Sequence, residues 1–415
     1  MDSAPRIAMI VWNEFRNDAR VLKEAQTLQA AGYQVTVFAL HTPGVTAERE
    51  RLESGIEIVR VARSPLWKIR KRRTMGGNCA EQARASANGV IGRLSVRQRA
   101  LRIVARLWTH AGLLWRMVRH RAAVVHAHDA NTLPTAWLAA RLSGARIIYD
   151  AHEISTSREG YASFRNLVGF VERLLMPRVH GAITTTDARA KFFARAYGIS
   201  RPLVLQNRPR HSVMTSSRIR DELGLTHDWP ILLYQGGLQQ GRGLEGLVRA
   251  AVTVTDAYFV FIGGGRLATE LKQLSESLEV GERVHFIPTV SLAQLPSYTA
   301  SADVGLQPIE NTCLNHFTTD SNKLFEYLMA GLPVIASSLP EIRRVVQQHD
   351  IGLLIRPGDI QALVSALRVM VGDPQLRVRM RHNALLAGRR LTWEQQESAL
   401  LTLYRQVLEG RQPTS

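Results

Sequence analysis

Lys323 and Glu326 stand three residues apart in the stretch NHFTTDSNKLFEYLMAGLPVIASSLPE, which runs from Asn315 to Glu341. A polar run, a helically spaced apolar segment, a Gly-Leu-Pro stop and a buried strand follow one another there. Ser321 and Asn322 sit where the helix begins, and the unpaired amides of a helix start favour an anion. Lys323 adds a full positive charge. Glu326, one turn further in, has the chemistry to accept hydrogen bonds from a hydroxyl pair such as a ribose diol. Phosphate on the helix start and sugar hydroxyls on the carboxylate together describe a nucleotide site. The competing reading is an i, i+3 surface ion pair of about 0.2–0.5 kcal/mol, which leaves the polar run before it unexplained.

Two glycine-rich turns point the same way. In YQGGLQQGRGLEGL, Gly236, Gly237, Gly241 and Gly243 let backbone approach a ligand, and Arg242 precedes the next helix. A glycine turn, a helix start and a cation make a phosphate site. FIGGGRLATEL repeats the pattern on the next strand with Gly263, Gly264 and Gly265.

The amino-terminal half has its own candidates. YDAHE ends a strand with Asp150, His152 and Glu153, and HAHDANTLP supplies His126, His128 and Asp129. NEFRNDARV brings Arg16, Asn17, Asp18 and Arg20 after the first strand; Asp18 is equally a good helix cap. His-x-His-Asp invites a metal reading, but no further histidine follows at ligand spacing, so no metal site is expected and His126 reads as sheet core. The chain also has no Asp-x-Asp pair.

The elements around these residues alternate strand and helix. RIAMIVW, DARVLKEAQTLQAAG and YQVTVFAL form a βαβ unit, and GIEIVRV, AAVVHAH, ARIIYDAHE, GAITTT and RPLVLQN continue it. The pattern restarts after Asn207 with PILLYQGG, YFVFIGGG, RVHFIPTV, ADVGLQPI and LPVIASS. This predicts an α/β protein of two doubly wound, Rossmann-like domains facing across a cleft. The first spans residues 1–207, the second 208–390. A last helix, within 391–415, packs back on the first. In such sheets ligands sit at the carboxyl ends of the strands, where the candidate residues fall.

Charge is uneven. The formal net charge is +18, and residues 63–121 hold fifteen Lys or Arg against one acid, Glu81, or +14 of it. Part of the excess follows Arg usage; the missing acids do not. The 63–99 part reads as a long basic loop. After it, Ala100, Val104, Leu107, Trp108, Ala111, Leu114, Trp115 and Val118 form one apolar helix face, expected to be core against the sheet rather than a membrane face. LWKIRKRR (residues 66–73) joins a tryptophan to five cations, which suits peripheral contact with an anionic membrane. No apolar run is long enough to span a membrane. The start lacks a signal-peptide pattern, and the two cysteines, Cys79 and Cys313, have no metal spacing. A cytoplasmic protein is expected, with peripheral contact at the inner face of the plasma membrane.

IIYDAHE, YQGGLQQGRGL and SNKLFEYLMAGLPVIAS, in this order, resemble family 4 (group 1) of the retaining glycosyltransferases with the GT-B fold, over nearly the whole chain. The resemblance implies transfer of a hexosyl group from a nucleoside diphosphate sugar to a hydroxyl acceptor, in bacterial surface-glycan or glycoconjugate synthesis, with no cofactor and no metal. It puts Gly236, Gly237, Arg242, Gly264, Asn322, Lys323 and Glu326 on the donor. It makes His152, Arg242, Lys323, Asp18 and Asp129 the catalytic set, and Arg16, Asn17, Asp18 and His128 the acceptor side. Two positions depart from the family. Thr318 stands where a first glutamate contacts the donor sugar, with Asp320 or Asn315 as substitutes, and Gly237 stands where an arginine contacts the diphosphate. Two rivals remain: a nucleotide-sugar epimerase of the same fold, and a nucleic-acid-binding protein using residues 63–121. The basic segment lacks interleaved stacking aromatics, so nucleic acid is disfavoured.

Overall fold

The computed structural model describes residues 4–63, 95–158 and 164–410. The first unit is a sheet of β1 (Arg6–Ile10), β2 (Gln34–His41), β3 (Arg49–Arg51), β4 (Glu57–Ala62), β5 (Val124–His128), β6 (Arg146–Ala151), β7 (Gly181–Thr184) and β8 (Leu203–Val204). Its order is β3-β4-β2-β1-β5-β6-β7-β8, with every pairing parallel except β3 with β4. β3 is a short exposed edge strand without apolar alternation, which is why the sequence does not announce it.

Helices cover both faces, so the strands are apolar throughout and side chains alternate between two cores. In β1, Ile7 and Met9 enter one core and Ala8 and Ile10 the other. The first core is closed by α1 (Ala19–Ala30) and the second by α2 (Val96–His120), α3 (Leu133–Ser143), α4 (Arg165–Leu175) and α5 (Asp187–Tyr197).

The second unit has β9 (Ile231–Gln235), β10 (Tyr258–Ile262), β11 (Val284–Ile287), β12 (Val304–Gln307), β13 (Val334–Ser337) and β14 (Gly352–Ile355). All pairings are parallel, in the order β11-β10-β9-β12-β13-β14. Its helices are α6 (Arg218–Leu223), α7 (Leu244–Ala250), α8 (Ala268–Ser277), α9 (Leu295–Thr299), α10 (Leu314–Phe317), α11 (Asn322–Met329), α12 (Pro340–His349), α13 (Ile360–Gly372) and α14 (Pro374–Arg390). The chain then returns. In α15 (Glu394–Leu408), Leu400, Leu403, Tyr404 and Val407 join the first unit's core beside α1. Trp393, fully buried, donates from Nε1 to Thr27 Oγ1 at 2.9 Å.

One expectation is overturned. The α2 face running through Val104, Leu107, Trp108 and Trp115 is more than half exposed. The helix buries Thr109, Leu113 and Met117 instead. It is long enough that its first three turns project past the part packed on the sheet, so its apolar stripe is not all core. Residues 64–94, with the 66–73 basic run and Cys79, lie outside the described residues.

Candidate active site

In the first sheet the strand order reverses between β1 and β5, in the second between β9 and β12. Such switch points are where open parallel sheets bind ligands. Between them lies a cavity of about 740 Å³ that takes walls from both units. A larger hollow of about 930 Å³ beside β8 and α15 holds none of the candidate residues.

The donor wall is built by β9 and α11. Leu324, Phe325, Tyr327 and Leu328 bury one side of α11. Tyr327 pins the helix: its hydroxyl donates toward Leu233 O at 3.1 Å and accepts from Gln235 N at 3.2 Å. A Cβ on Gly305 would lie 2.4 Å from that ring, so the glycine lets the helix sit down on β12. Lys323 and Glu326 are left facing the cavity. They do not settle into the surface ion pair. Glu326 Oε2 accepts from Gln235 Nε2 at 2.5 Å, Gln235 Oε1 accepts from Thr299 Oγ1 at 2.8 Å, and Lys323 Nζ lies 5.1 Å from the Tyr234 ring centroid. Gln235 thus aims the carboxylate. A glutamine closing an otherwise apolar strand was its one sequence signal.

Gly236 has φ +121°, and a Cβ there would lie 2.6 Å from Lys323 Cε. A Cβ on Gly263, φ +141°, would lie 2.1 Å from Gly236 O. The two turns therefore interlock only as glycines. Gly237 and Gly264 do not line the cavity but close these turns: Tyr234 donates to Gly237 O at 2.9 Å and Leu238 N to Gly264 O at 3.0 Å. Arg242 and Asn322 do line it.

Burial lowers the Lys323 pKa to about 7, Arg242 adds to the effect and Glu326 opposes it. A diphosphate beside it would restore the charge, so binding at neutral or higher pH takes up a proton. Nucleoside diphosphate affinity should then fall by up to about tenfold per pH unit above 7, until the bound-state pKa is reached. Calorimetry in buffers of different ionisation enthalpy reads the uptake, and a Lys323→Met variant should lose it.

On the opposite wall, Arg16, Asn17, Asp18 and His152 line the cavity. Asp18 caps α1, with Oδ1 accepting from Val21 N at 3.2 Å, while Oδ2 accepts from Asn13 Nδ2 at 2.7 Å. His152 is held from below by Asp150, with Nε2 to Oδ2 at 3.0 Å. Its Nδ1 lies 3.8 Å from Asp129 Oδ1. Burial works to lower the His152 pKa, but Asp150 and Asp129 outweigh it and raise it to about 9. Asp150 resists the upward push of its own burial because Arg20, and then His152, hold it well below the ordinary carboxylate range. Arg20 grips it with Nε and Nη2 at 2.7 and 2.9 Å.

His128 is a correction. It is 2 % exposed, packed within the sheet with its Nδ1 3.3 Å from His152 Nε2, and is absent from the cavity wall. As the last residue of a central strand it points into the layer beneath the acceptor side, not out to it. Asp129 also stays off the wall; it meets His152 and, at 3.3 Å, Arg158. Glu24, His126, His128 and Asp150 bring ligand-type atoms within 4.8 Å of one another, all buried. The Arg20 guanidinium already lies against both carboxylates, 3.2 Å from Glu24 Oε1. Burial and Asp150 raise the Glu24 pKa well above normal despite Arg20, while burial and His128 lower that of His126.

Thr318 does not look into the cavity. Its Oγ1 accepts from Arg189 Nε at 3.2 Å, and its carbonyl accepts from Thr186 Oγ1 at 3.1 Å. Asn315 is spent on a two-way clasp to the Ile154 backbone at 2.8 and 3.0 Å. Asp320 alone of the two substitutes lines the cavity, and it accepts from Gln206 Nε2 at 2.9 Å. These bonds tie the units together. Arg189, at their centre, carried no sequence signal: in DARAKFFARAY it reads as a surface residue. Among the described residues six non-glycine residues have positive φ, and Phe15, Asp129 and Ser321 of these flank the site, where backbone strain tends to collect.

Two parallel-sheet α/β units facing each other across such a cleft define the GT-B architecture. The family models agree: "Glycosyl transferases group 1" matches residues 215–386 and "Glycosyl transferase 4-like domain" residues 18–208. The chain therefore belongs to the group 1 (family 4) glycosyltransferases. It is 22 % identical to a D-inositol 3-phosphate glycosyltransferase of Xylanimonas cellulosilytica over 94 % of this chain and 91 % of that one. It is 23 % identical to the alpha-D-kanosaminyltransferase of Streptomyces kanamyceticus over 67 % and 77 %. Among solved structures, sucrose-phosphate synthase from Thermosynechococcus elongatus superposes with a TM-score of 0.78 at 18 % identity, over 98 % of this chain and 100 % of that one. Anabaena HepE in complex with UDP-glucose gives 0.70 at 15 % identity, over 98 % and 99 %.

Proposed function

We propose that this glycosyltransferase moves a hexosyl group from a nucleoside diphosphate sugar to a hydroxyl acceptor, with retention at the anomeric carbon. The observation that carries the reading is the convergence of Glu326, Lys323, Arg242 and the α11 amino end on one cavity. Glu326 holds the ribose diol. Arg242, Lys323 and the α11 amides take the diphosphate and stabilise it as it leaves, the kind of electrostatic aid that dominates such steps. His152, protonated below about pH 9, donates to the donor sugar, with Asp320 in place of the missing glutamate. Arg16, Asn17 and Asp18 receive the acceptor. A donor phosphate oxygen takes the acceptor's proton on the face from which the nucleotide departs, so no enzyme nucleophile is required. HepE is solved with UDP-glucose, which supports this class of donor.

The phosphate charge is met by side chains and amides, so the reaction needs neither metal nor cofactor. In this reading the acceptor is carried on a lipid at the inner face of the plasma membrane, for surface-glycan synthesis. No helix among the described residues is long and apolar enough to cross a membrane.

The test is nucleotide binding and slow hydrolysis across a panel of nucleotide sugars, with and without chelator. Glu326→Ala should weaken nucleoside diphosphate binding by about 10- to 100-fold, the worth of hydrogen bonds to a charged group, with no change in melting temperature. Unchanged binding removes the ribose assignment. Loss of hydrolysis in chelator, restored by manganese, overturns metal independence.

A further inference from the structure

We propose that the outward face of α2, α3 and α4 is a docking surface for an anionic lipid bilayer. The inference deepens the lipid-linked acceptor reading by naming the surface that meets the membrane, and its evidence is independent of that reading.

α2 packs on α3 and α3 on α4, so the three form one layer over the first sheet. Each buries its small or inner residues against the sheet and leaves large apolar ones outside. On α2, Leu101, Ile103, Val104, Leu107 and Trp108 are all at least 55 % exposed. On α3 these are Leu138 and Leu142; on α4 they are Leu167, Phe170 and Leu174. Scattered exposed leucines are ordinary, but three neighbouring helices turning such residues outward make a patch of the kind that marks an interaction surface.

Charge identifies the occupant. Together the three helices carry nine arginines, six on α2, one on α3 and two on α4, and a single acid, Glu172. That acid is not on the surface: it is fully buried and accepts from Tyr149, Ser155 and Tyr197. Arg97, Arg102, Arg106 and Arg119 of α2 are exposed, and Arg119 lies over the Trp115 ring at 4.5 Å. A protein partner that matched this face would have to be both apolar and strongly acidic. A leaflet of anionic lipid offers both, with acyl chains for the leucines and tryptophans and headgroups for the arginines, as interfacial helices use them.

The patch also borders the cleft. Trp12 lines the cavity and stacks on His110 of α2 at 4.2 Å, with the Arg106 guanidinium 5.3 Å from its ring centroid. A bilayer on this face therefore lies beside the acceptor wall, where a lipid-carried hydroxyl would enter.

The experiment is flotation of the full chain with vesicles of phosphatidylglycerol and phosphatidylcholine, and with phosphatidylcholine alone, at low and high salt. A variant carrying Leu107→Ser, Trp108→Ser and Phe170→Ser is floated in parallel. All three positions are more than half exposed, so the melting temperature should hold. The expected result is flotation with anionic vesicles at low salt, loss at high salt, and at least a tenfold weaker partition for the triple variant, whose nucleotide-sugar hydrolysis stays unchanged. No flotation, equal flotation with neutral vesicles, or full flotation of the triple variant overturns the proposal. So does a dimer in solution that the triple variant splits, which would make a second copy the occupant. Failure of hydrolysis in the wild type, with flotation intact, would instead sink the donor reading alone.

Discussion

Replacing Arg242 by alanine is expected to lower turnover by about 100- to 1000-fold while changing the Michaelis constant little, the signature of a group whose charge matters most as the bond breaks. The cavity explains the size of the effect. Where similar enzymes have a further arginine, this chain has Gly237, which closes a turn and offers no charge. Lys323 is the other cation on this wall, and burial has lowered its pKa to about 7, so it is half discharged in the empty cleft at neutral pH. Arginine does not deprotonate in proteins, which leaves Arg242 as the constant charge there. A lysine replacement should recover only part of the rate, since it lacks the planar fork that meets two phosphate oxygens at once. Single-turnover kinetics with a fixed donor separate binding from chemistry. Full turnover in Arg242→Ala would mean that the α11 amides and Lys323 suffice.

Replacing Arg20 by methionine should cost about 3–5 kcal/mol of stability, because removing one partner of a buried ion pair strands the other. Arg20 is 4 % exposed and lies against Asp150 and Glu24, both fully buried. It also donates to Leu205 O at 2.6 Å, so its loss opens the joint between β8 and α1. The deficit depends on pH. Arg20 helps hold the Asp150 pKa well down in the native state, so its contribution is present above the carboxylate's ordinary pKa and fades as pH falls through the native value. Urea unfolding at pH 7 and at about pH 2 should therefore show a smaller gap between variant and wild type at the lower pH. An equal gap at both would mean that packing, not charge, is what Arg20 supplies.

The sheets and the donor wall were legible for one physical reason: a buried parallel strand cannot hide its apolar run, and a glycine turn after it marks the ligand end. PILLYQGG and YFVFIGGG are of this kind. β3 is not legible because RER has no apolar residue at all. The acceptor side was less legible. Histidines on a strand end look alike in sequence, yet His128 is in register with Asp150 inside the sheet, while His152 stands two residues further on, past the end of its strand, where it lines the cavity. Thr318 marks the place of a missing sugar-contacting glutamate and Asn315 is one of its two expected substitutes, but long-range partners, Arg189 and Ile154, claim both. α2 misled because its apolar period is real while its length exceeds the sheet it covers. Periodicity reports which residues share a face, not what lies opposite.

The return of α15 to the first sheet has a cost in time. Trp393, Leu400 and Tyr404 complete a core whose strands end at Val204, so nearly two hundred residues must be synthesised in between. At roughly 5–20 residues per second, the apolar groove beside α1 stands open for about 10–40 s on the ribosome while the second unit emerges and folds. The first unit is then a natural chaperone client during synthesis. A chain that stops before Trp393 would keep both sheets and still expose that groove, making it a target for proteolysis rather than a smaller enzyme.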